Sequence, residues 1–451
     1  MLREAIEIYH ELLNDQIAAD TDGEMRSMLH KLGLYFGNRP ICTVLRPHFY
    51  FTDQWAYLKQ ETEILLGAFS RAHEACLYSP ELRQQLSLEA YEEQLFSLDI
   101  GGAIPWTTSR LDSFFRADDG ILQFVEYNAE TPAGMGYGDV LNDLFHGLEL
   151  MKRFETNYHV QSMPLLAELL KALLQGYRDW GGTAANPQIA IMDWQDVPTL
   201  NEHEISRFSF ERAGTSSFLV DPRAVEYRNG ALWAGSRKID VIYKRVLISE
   251  LIHRMGVDNP IVQAYRDHAV FLTNSFSCKL MAKKASFAFI SDERNAHLFT
   301  PEQQQAIALH IPWTRLVSDR KTEYEGQQVD LLTFVTDHRD RLVLKPNDEY
   351  GGKGVVLGWE CEAENWSSAL QHALTEPFVV QERVESITRE FPSWVDGQLD
   401  ISARHVDADP YVFYGRTVHG CLTRLSSVSL LNVTAGGGSL VPAFLIERKD
   451  F

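Results

Sequence analysis

Arg341-Leu-Val-Leu-Lys345-Pro-Asn-Asp-Glu-Tyr350-Gly351-Gly352-Lys353-Gly354 reads as an apolar strand that ends in a lysine and runs into a glycine-rich turn carrying a second lysine. Glycines at 351, 352 and 354 allow a tight backbone path that lays N–H groups against anionic oxygens, and Lys345 and Lys353 add positive charge. That chemistry suits a polyphosphate, although an ordinary β-turn has the same composition. No Gly-Lys-Ser/Thr follows the loop and no Gly-x-Gly-x-x-Gly opens a helix after an early strand, so neither a P-loop nor a dinucleotide fold is indicated.

More than two hundred residues upstream, Leu111-Asp112-Ser-Phe-Phe, the turn Asp118-Asp119-Gly120 and Phe124-Val-Glu126-Tyr-Asn128 read as a hairpin. A turn centred on Asp119 sets Asp112 across from Glu126, and side-chain alternation puts Glu126 and Asn128 on one face. Two carboxylates and an amide oxygen are the hard donor set that Mg²⁺ takes while it keeps waters or substrate phosphates as its other ligands. A solvated hairpin edge decorated with acids is the competing reading.

Taken together these pieces carry a resemblance. The strand-lysine-proline with its glycine-rich loop is followed by Pro377-Phe-Val-Val-Gln381-Glu382-Arg-Val384-Glu385, by Arg389-Glu390, and by Leu422-Thr-Arg424 through Asn432 to Gly436-Gly437-Gly438. This series resembles an ATP-grasp domain. In ordinary members an acidic residue and a Glu-x-Asn come after that arginine, whereas here the matching segment from Asp112 to Gly134 comes first. The chain therefore resembles the circularly permuted ATP-grasp proteins, a group near the glutathionylspermidine synthetase-like ligases. The fold so implied is α/β: a circularly permuted ATP-grasp unit preceded by a Rossmann-like substrate-side domain and an N-terminal helical region. Its segments would be 1–150 (helices plus the metal-binding hairpin), 151–272 (pre-ATP-grasp α/β domain) and 273–451 (ATP-grasp subdomains).

The resemblance also implies an activity and its residues. An ATP-dependent ligase would convert a small-molecule carboxylate to an acylphosphate, let an amine open it, and release ADP and phosphate. ATP would contact Lys345 and Lys284, with Lys283 the alternative, and would lie against the loop glycines Gly351, Gly352 and Gly354. Gln381, Glu382 and Val384 would line the adenine, and Glu390 or Glu385 would take the ribose hydroxyls. Arg424 and Lys353 are the catalytic candidates, Asn432 helps shape the pocket, and Asp112, Glu126 and Asn128 would bind Mg²⁺. A small-molecule kinase on the same scaffold, or a non-catalytic nucleotide-binding protein, are the other readings; a full metal set beside Arg424 weighs against the last.

Composition bounds the rest. With 451 residues, 45% of them hydrophobic, the chain can bury two or three cores, and a formal charge of -20 disfavours nucleic-acid or anionic-membrane partners. Five cysteines without C-x-x-C spacing suggest neither zinc nor a disulfide framework and make a reducing cytoplasm the default. The N-terminus reads as an amphipathic surface helix, not an export signal, and helical patterns continue through 55–69 and 80–98. Those helices would serve substrate contacts or an oligomer interface. The middle alternates strand (189–193), helix (202–211), strand (217–221) and strand (239–243), which implies parallel pairing. Asp193, Asp221, Lys244 and Arg245 then fall at the carboxyl ends of strands, where such sheets bind ligands.

Overall fold

The computed structural model describes residues 1–36, 39–99, 105–428 and 438–449. The expected hairpin forms from Thr108–Arg116 and Ile121–Asn128, and Gly120 takes the left-handed conformation (φ 76°) that its turn requires. Its ladder runs from Arg116↔Ile121 to Ser113↔Phe124, and a bulge at Val125 then shifts the register so that Asp112 faces Glu126. Leu122, Phe124 and Tyr127 face the core, which shows the same one-residue slip in the burial pattern.

The hairpin is completed by the far end of the chain. Thr108–Arg116 pairs with Asp409–Phe413, and the whole forms a seven-stranded antiparallel sheet in the order 387–395, 398–406, 417–426, 409–413, 108–116, 121–128, with Ser439–Val441 also paired to 417–426. A four-stranded antiparallel sheet lies opposite: Thr314–Leu316, Phe378–Glu382, Leu342–Pro346 and Val356–Leu357. Its inner side chains, Leu342, Leu344 and Val380, close on Leu331, Val335, Trp366 and Leu370 of two covering helices, so this lobe has a small core of its own.

The middle forms the expected parallel sheet, ordered Phe271–Thr273, Val241–Lys244, Ile189–Met192, Ser217–Val220, with helix Leu200–Arg212 as one crossover. The last strand begins at Val241, not Ile239, because Ile239 ends a separate antiparallel meander (Val225–Arg228, Ala231–Ala234, Arg237–Ile239). Leu2–Glu11 buries Leu2, Ala5 and Tyr9 on one side, and Thr52–Tyr78 is a long helix packed against Pro301–His310. The helical pattern at 80–98 breaks at Ser87, whose φ of 51° ends the turn Gln84–Leu86 before helix Ala90–Phe96 starts. His48–Phe51, Ala443–Arg448 and Tyr158–Ser162 join in one sheet, so segments from the beginning, middle and end of the chain are stitched together. Among the described residues no helix is long and apolar enough to cross a membrane.

Candidate nucleotide-binding cleft

The four-stranded and seven-stranded sheets face each other across a cavity of about 660 Å³. Asp112, Glu126, Lys284, Lys345, Gly351, Gly352, Lys353, Gln381, Glu382, Val384 and Arg424 all contribute to its walls, although they come from five separate stretches of chain. Asn128 enters through its hydrogen bond to Asp112, and Gly354, at φ 72°, holds the return of the loop against Pro346.

Two lysines face each other here. Lys345, at the end of its strand, donates to Gln381 Oε1 (2.7 Å) and to the Val125 carbonyl (3.3 Å). Burial pulls its ammonium down to about 8, against the opposing pull of Glu126, while the charge of Lys284 lowers it further. Lys284 pairs with Glu126 Oε1 at 2.8 Å and donates to the Glu349 carbonyl at 2.5 Å, joining hairpin to loop. Between Lys283 and Lys284 the geometry favours Lys284, since Lys283 is 2% exposed and turned to Glu92 (2.9 Å) and Asp348 (3.4 Å). The Gln381 side chain is spent on Lys345 and Thr314. Glu382 is held by Tyr324 and Arg341, both at 2.9 Å.

On the opposite wall, Arg424 sits among three carboxylates. Its Nε donates to Asp407 Oδ2 (2.6 Å) and its Nη2 to Asp112 Oδ2 (2.7 Å), and the backbone N–H of Arg424 fills the other Asp407 oxygen (2.6 Å). Asp409 Oδ2 lies 2.8 Å from Nη2 yet makes no hydrogen bond, so the contact is ionic only. Arg110 grips Asp112 through Nε (2.7 Å) and Nη2 (3.0 Å). Burial works against the Asp112 charge, but Arg110 and Arg424 outweigh it and hold the carboxyl at about 2. Asp409 is pushed up by burial, only partly opposed by Arg424, with Asp112 and Asp407 adding repulsion. Arg110, Asp407 and Asp409 were not anticipated. Arg110-x-Asp112 and Asp407-x-Asp409, each with strand spacing, were the available signal.

The fit of this wall to Mg²⁺ follows from its donors. Asp112 and Glu126 both line the cavity, but Asp112 already accepts from Arg110, Arg424 and Asn128 Nδ2 (2.9 Å), so Asn128 presents its amide nitrogen rather than its oxygen to Asp112. For these three residues to hold Mg²⁺, the Asn128 amide would have to turn its oxygen toward Asp112 and Glu126. No group of three or more His, Cys, Asp or Glu that could hold a metal ion occurs among the described residues.

Other expectations are corrected or lie beyond view. Glu390 is exposed on strand Ile387–Val395 and Glu385 is exposed just before it; neither lines the cavity, so the expected ribose contacts are not placed there. Lys244 and Arg245 do not form an open anion site: Lys244 is 1% exposed and faces Glu130 (3.7 Å), and Arg245 donates to the Pro132 carbonyl (2.7 Å). Asp193 and Asp221 line a small separate cavity of about 100 Å³. Asn432, Gly436 and Gly437 lie outside the described residues.

Two opposed sheets, a lysine pair and a glycine-rich loop on a mixed α/β body define a protein of the ATP-grasp class. The profile of the circularly permuted ATP-grasp type 2 family matches residues 86–426, and the chain belongs to that family. It is 29% identical over 357 residues to a putative glutamate–cysteine ligase 2-2 of Frankia casuarinae, covering 75% of this chain and 38% of that protein. To a putative glutamate–cysteine ligase 2-3 of Frankia alni it is 27% identical over 215 residues, covering 45% and 23%. The chain thus spans less than half the length of these curated relatives. Among solved structures, a glutathione synthetase-like effector of Globodera pallida in its apo form superposes with a TM-score of 0.62 at 12% identity, covering 96% of this chain and 98% of that one, a likeness of fold.

Proposed function

We propose that the chain is an ATP-dependent ligase that joins a small-molecule carboxylate to an amine through an acylphosphate, releasing ADP and phosphate. The observation that carries this reading is the convergence of Lys284, Lys345, the glycine-rich loop and the Arg424 cluster on one cavity between two sheets. A carboxylate resists amines because it is anionic and has no leaving group. Attack of its oxygen on the γ-phosphorus, with departure of ADP, makes an acylphosphate. The amine then attacks the carbonyl carbon, phosphate leaves, and the surplus amine proton is lost.

In this reading each residue has a distinct part. Lys345 and Lys284 hold ATP phosphates, Lys353 moves in with the loop, and residues 381–384 receive the base. Arg424, fixed in place by Asp407, stabilises charge on the phosphoryl group in flight. Mg²⁺, held by Asp112, Glu126 and Asn128, would neutralise charge on the phosphates.

The test is a screen of amino acids, small peptides and polyamines for ADP release, with products weighed by mass spectrometry. Condensation products are expected. A gain of phosphate alone would make the protein a kinase, and ATP binding without turnover on any pair would leave a nucleotide-binding protein.

A further inference from the structure

Lys279 has no part in the scheme above, yet it occupies a junction. It lies on the short helix Lys279–Ala282, is 4% exposed, and donates to Asp348 Oδ1 at 2.6 Å and to Glu130 Oε2 at 3.0 Å. Asp348 is in the stem of the glycine-rich loop, one residue before Glu349, which lines the cavity. Glu130 opens the stretch Glu130-Thr-Pro-Ala-Gly134, whose Ala133 and Gly134 line the same cavity, as do Tyr137, Pro198 and Thr199.

The remaining contacts show why this junction stands apart. Asn274 Nδ2 donates to the carbonyls of Ala129 (2.7 Å) and Glu130 (3.1 Å), Arg245 to that of Pro132, and Arg110 and Tyr411 to that of Ala133 (2.9 and 2.7 Å). Glu130 Oε1 accepts the Ile248 N–H at 2.6 Å. All these partners belong to the body of the protein. Lys279 alone among the described residues bonds both Glu130 and the loop stem. If Asp348 moves, Lys279 must follow, pulling on Glu130, or give up one of its two carboxylates, which leaves Glu130 only the longer contact to Lys244 (3.7 Å) and Asp348 only Lys283 (3.4 Å).

We propose that Lys279 is a positioning residue that couples closure of the Tyr350–Gly354 loop on the nucleotide to ordering of the Glu130–Gly134 wall against which the second substrate sits. The proposal rests on the ATP reading. Nucleotide bound at one end of the cavity thereby prepares the other, a coupling between two sites through one shared ion pair.

Hydrogen exchange by mass spectrometry on the full chain, with and without a non-hydrolysable ATP analogue and Mg²⁺, tests it. In the wild type the analogue is expected to slow exchange at 345–354 and also at 129–136. In Lys279→Met the first protection should persist, with analogue affinity within about threefold, while the second should drop to less than about a third; Lys279→Arg should restore it. A purely structural staple would raise exchange at 129–136 equally with and without analogue, which overturns the proposal, as would full analogue-induced protection at 129–136 in Lys279→Met. Should Lys279→Met fail to fold, Glu130→Gln replaces it, and retained protection at 129–136 in that variant overturns the coupling. Wild-type protection at 345–354 with none at 129–136 removes the coupling and leaves the ATP reading standing. No analogue-induced protection at 345–354 removes both.

Discussion

The two walls of the cavity are built differently. On the seven-stranded sheet Arg110, Asp112, Asp407, Asp409 and Arg424 form a cluster in which no side chain exceeds 21% exposure. Facing it, the four-stranded lobe has its own core and presents the exposed pair Lys353–Glu349, with side chains 76% and 35% exposed. Buried charges gain from fixed geometry and lose heavily when one partner goes, whereas exposed pairs contribute little and rearrange freely. Under the proposed reaction, chemistry would be preorganised on one wall and capture left to the other.

The sharpest way to break this contrast is Arg424→Ala. It strips the shared cation from three carboxylates and is expected to lower stability by about 3–5 kcal/mol, read by urea or thermal unfolding. A simple loss of turnover with an unchanged melting point would show that the wall is not locked. Arg424→Lys keeps a charge but loses the planar fork; it should fold, bind ATP within about threefold of wild type, and release ADP at least about 100-fold more slowly.

Lys345→Ala should come next, with ATP affinity reduced at least about tenfold by calorimetry and little change in stability. Because Lys345 is held near 8, below its ordinary 10.5, it loses its charge as pH rises through 8. ATP affinity should weaken between pH 7 and 9 in the wild type and stay flat in Lys345→Arg. The sign for stability is opposite: between 8 and 10.5 the unfolded chain holds more protons, so the penalty of burying this lysine is relieved as pH rises through that window.

Glu126→Gln is expected to raise the Mg²⁺ concentration for half-maximal ADP release by about tenfold, in the range that loss of a metal-site carboxylate or its support produces. An unchanged Mg²⁺ requirement would move the metal elsewhere on the wall. Lys353→Gln, on the adaptable side, should leave the unfolding midpoint essentially unchanged and weaken ATP only about two- to fivefold. A large stability loss there would erase the difference between the walls.

Legibility in the sequence divides along the same line. Local signals revealed the strand-lysine-glycine loop and the hairpin, because turns and alternation are properties of adjacent residues. Even so, the pairing of Asp112 with Glu126 arises from a bulge at Val125 and not from a turn centred on Asp119. The Arg424 cluster was hard to read because Asp112 and Arg424 stand 312 positions apart, and the spacing of Asp407-x-Asp409 marks a shared strand face without saying which cation it meets. Lys283 and Lys284 were indistinguishable by type, and their opposite directions are decided by the non-helical turn at Lys283. Glu390 falls outside the cavity lining for a related reason: its strand continues past the cavity and is paired with Gln398–Val406 at the sheet edge.

The docking of Thr108–Arg116 on Asp409–Phe413 also has a history in every newly made molecule. The hairpin leaves the ribosome long before the strand that will cover it exists, so an edge of nine residues with buried Leu111 and Phe115 must wait, exposed, for its neighbour. Pairings so distant in sequence are slow to close. Expression of 273–451 alone would strand the opposite edge, Asp409–Phe413, which is buried along its whole length, and aggregation is the expected fate of that fragment.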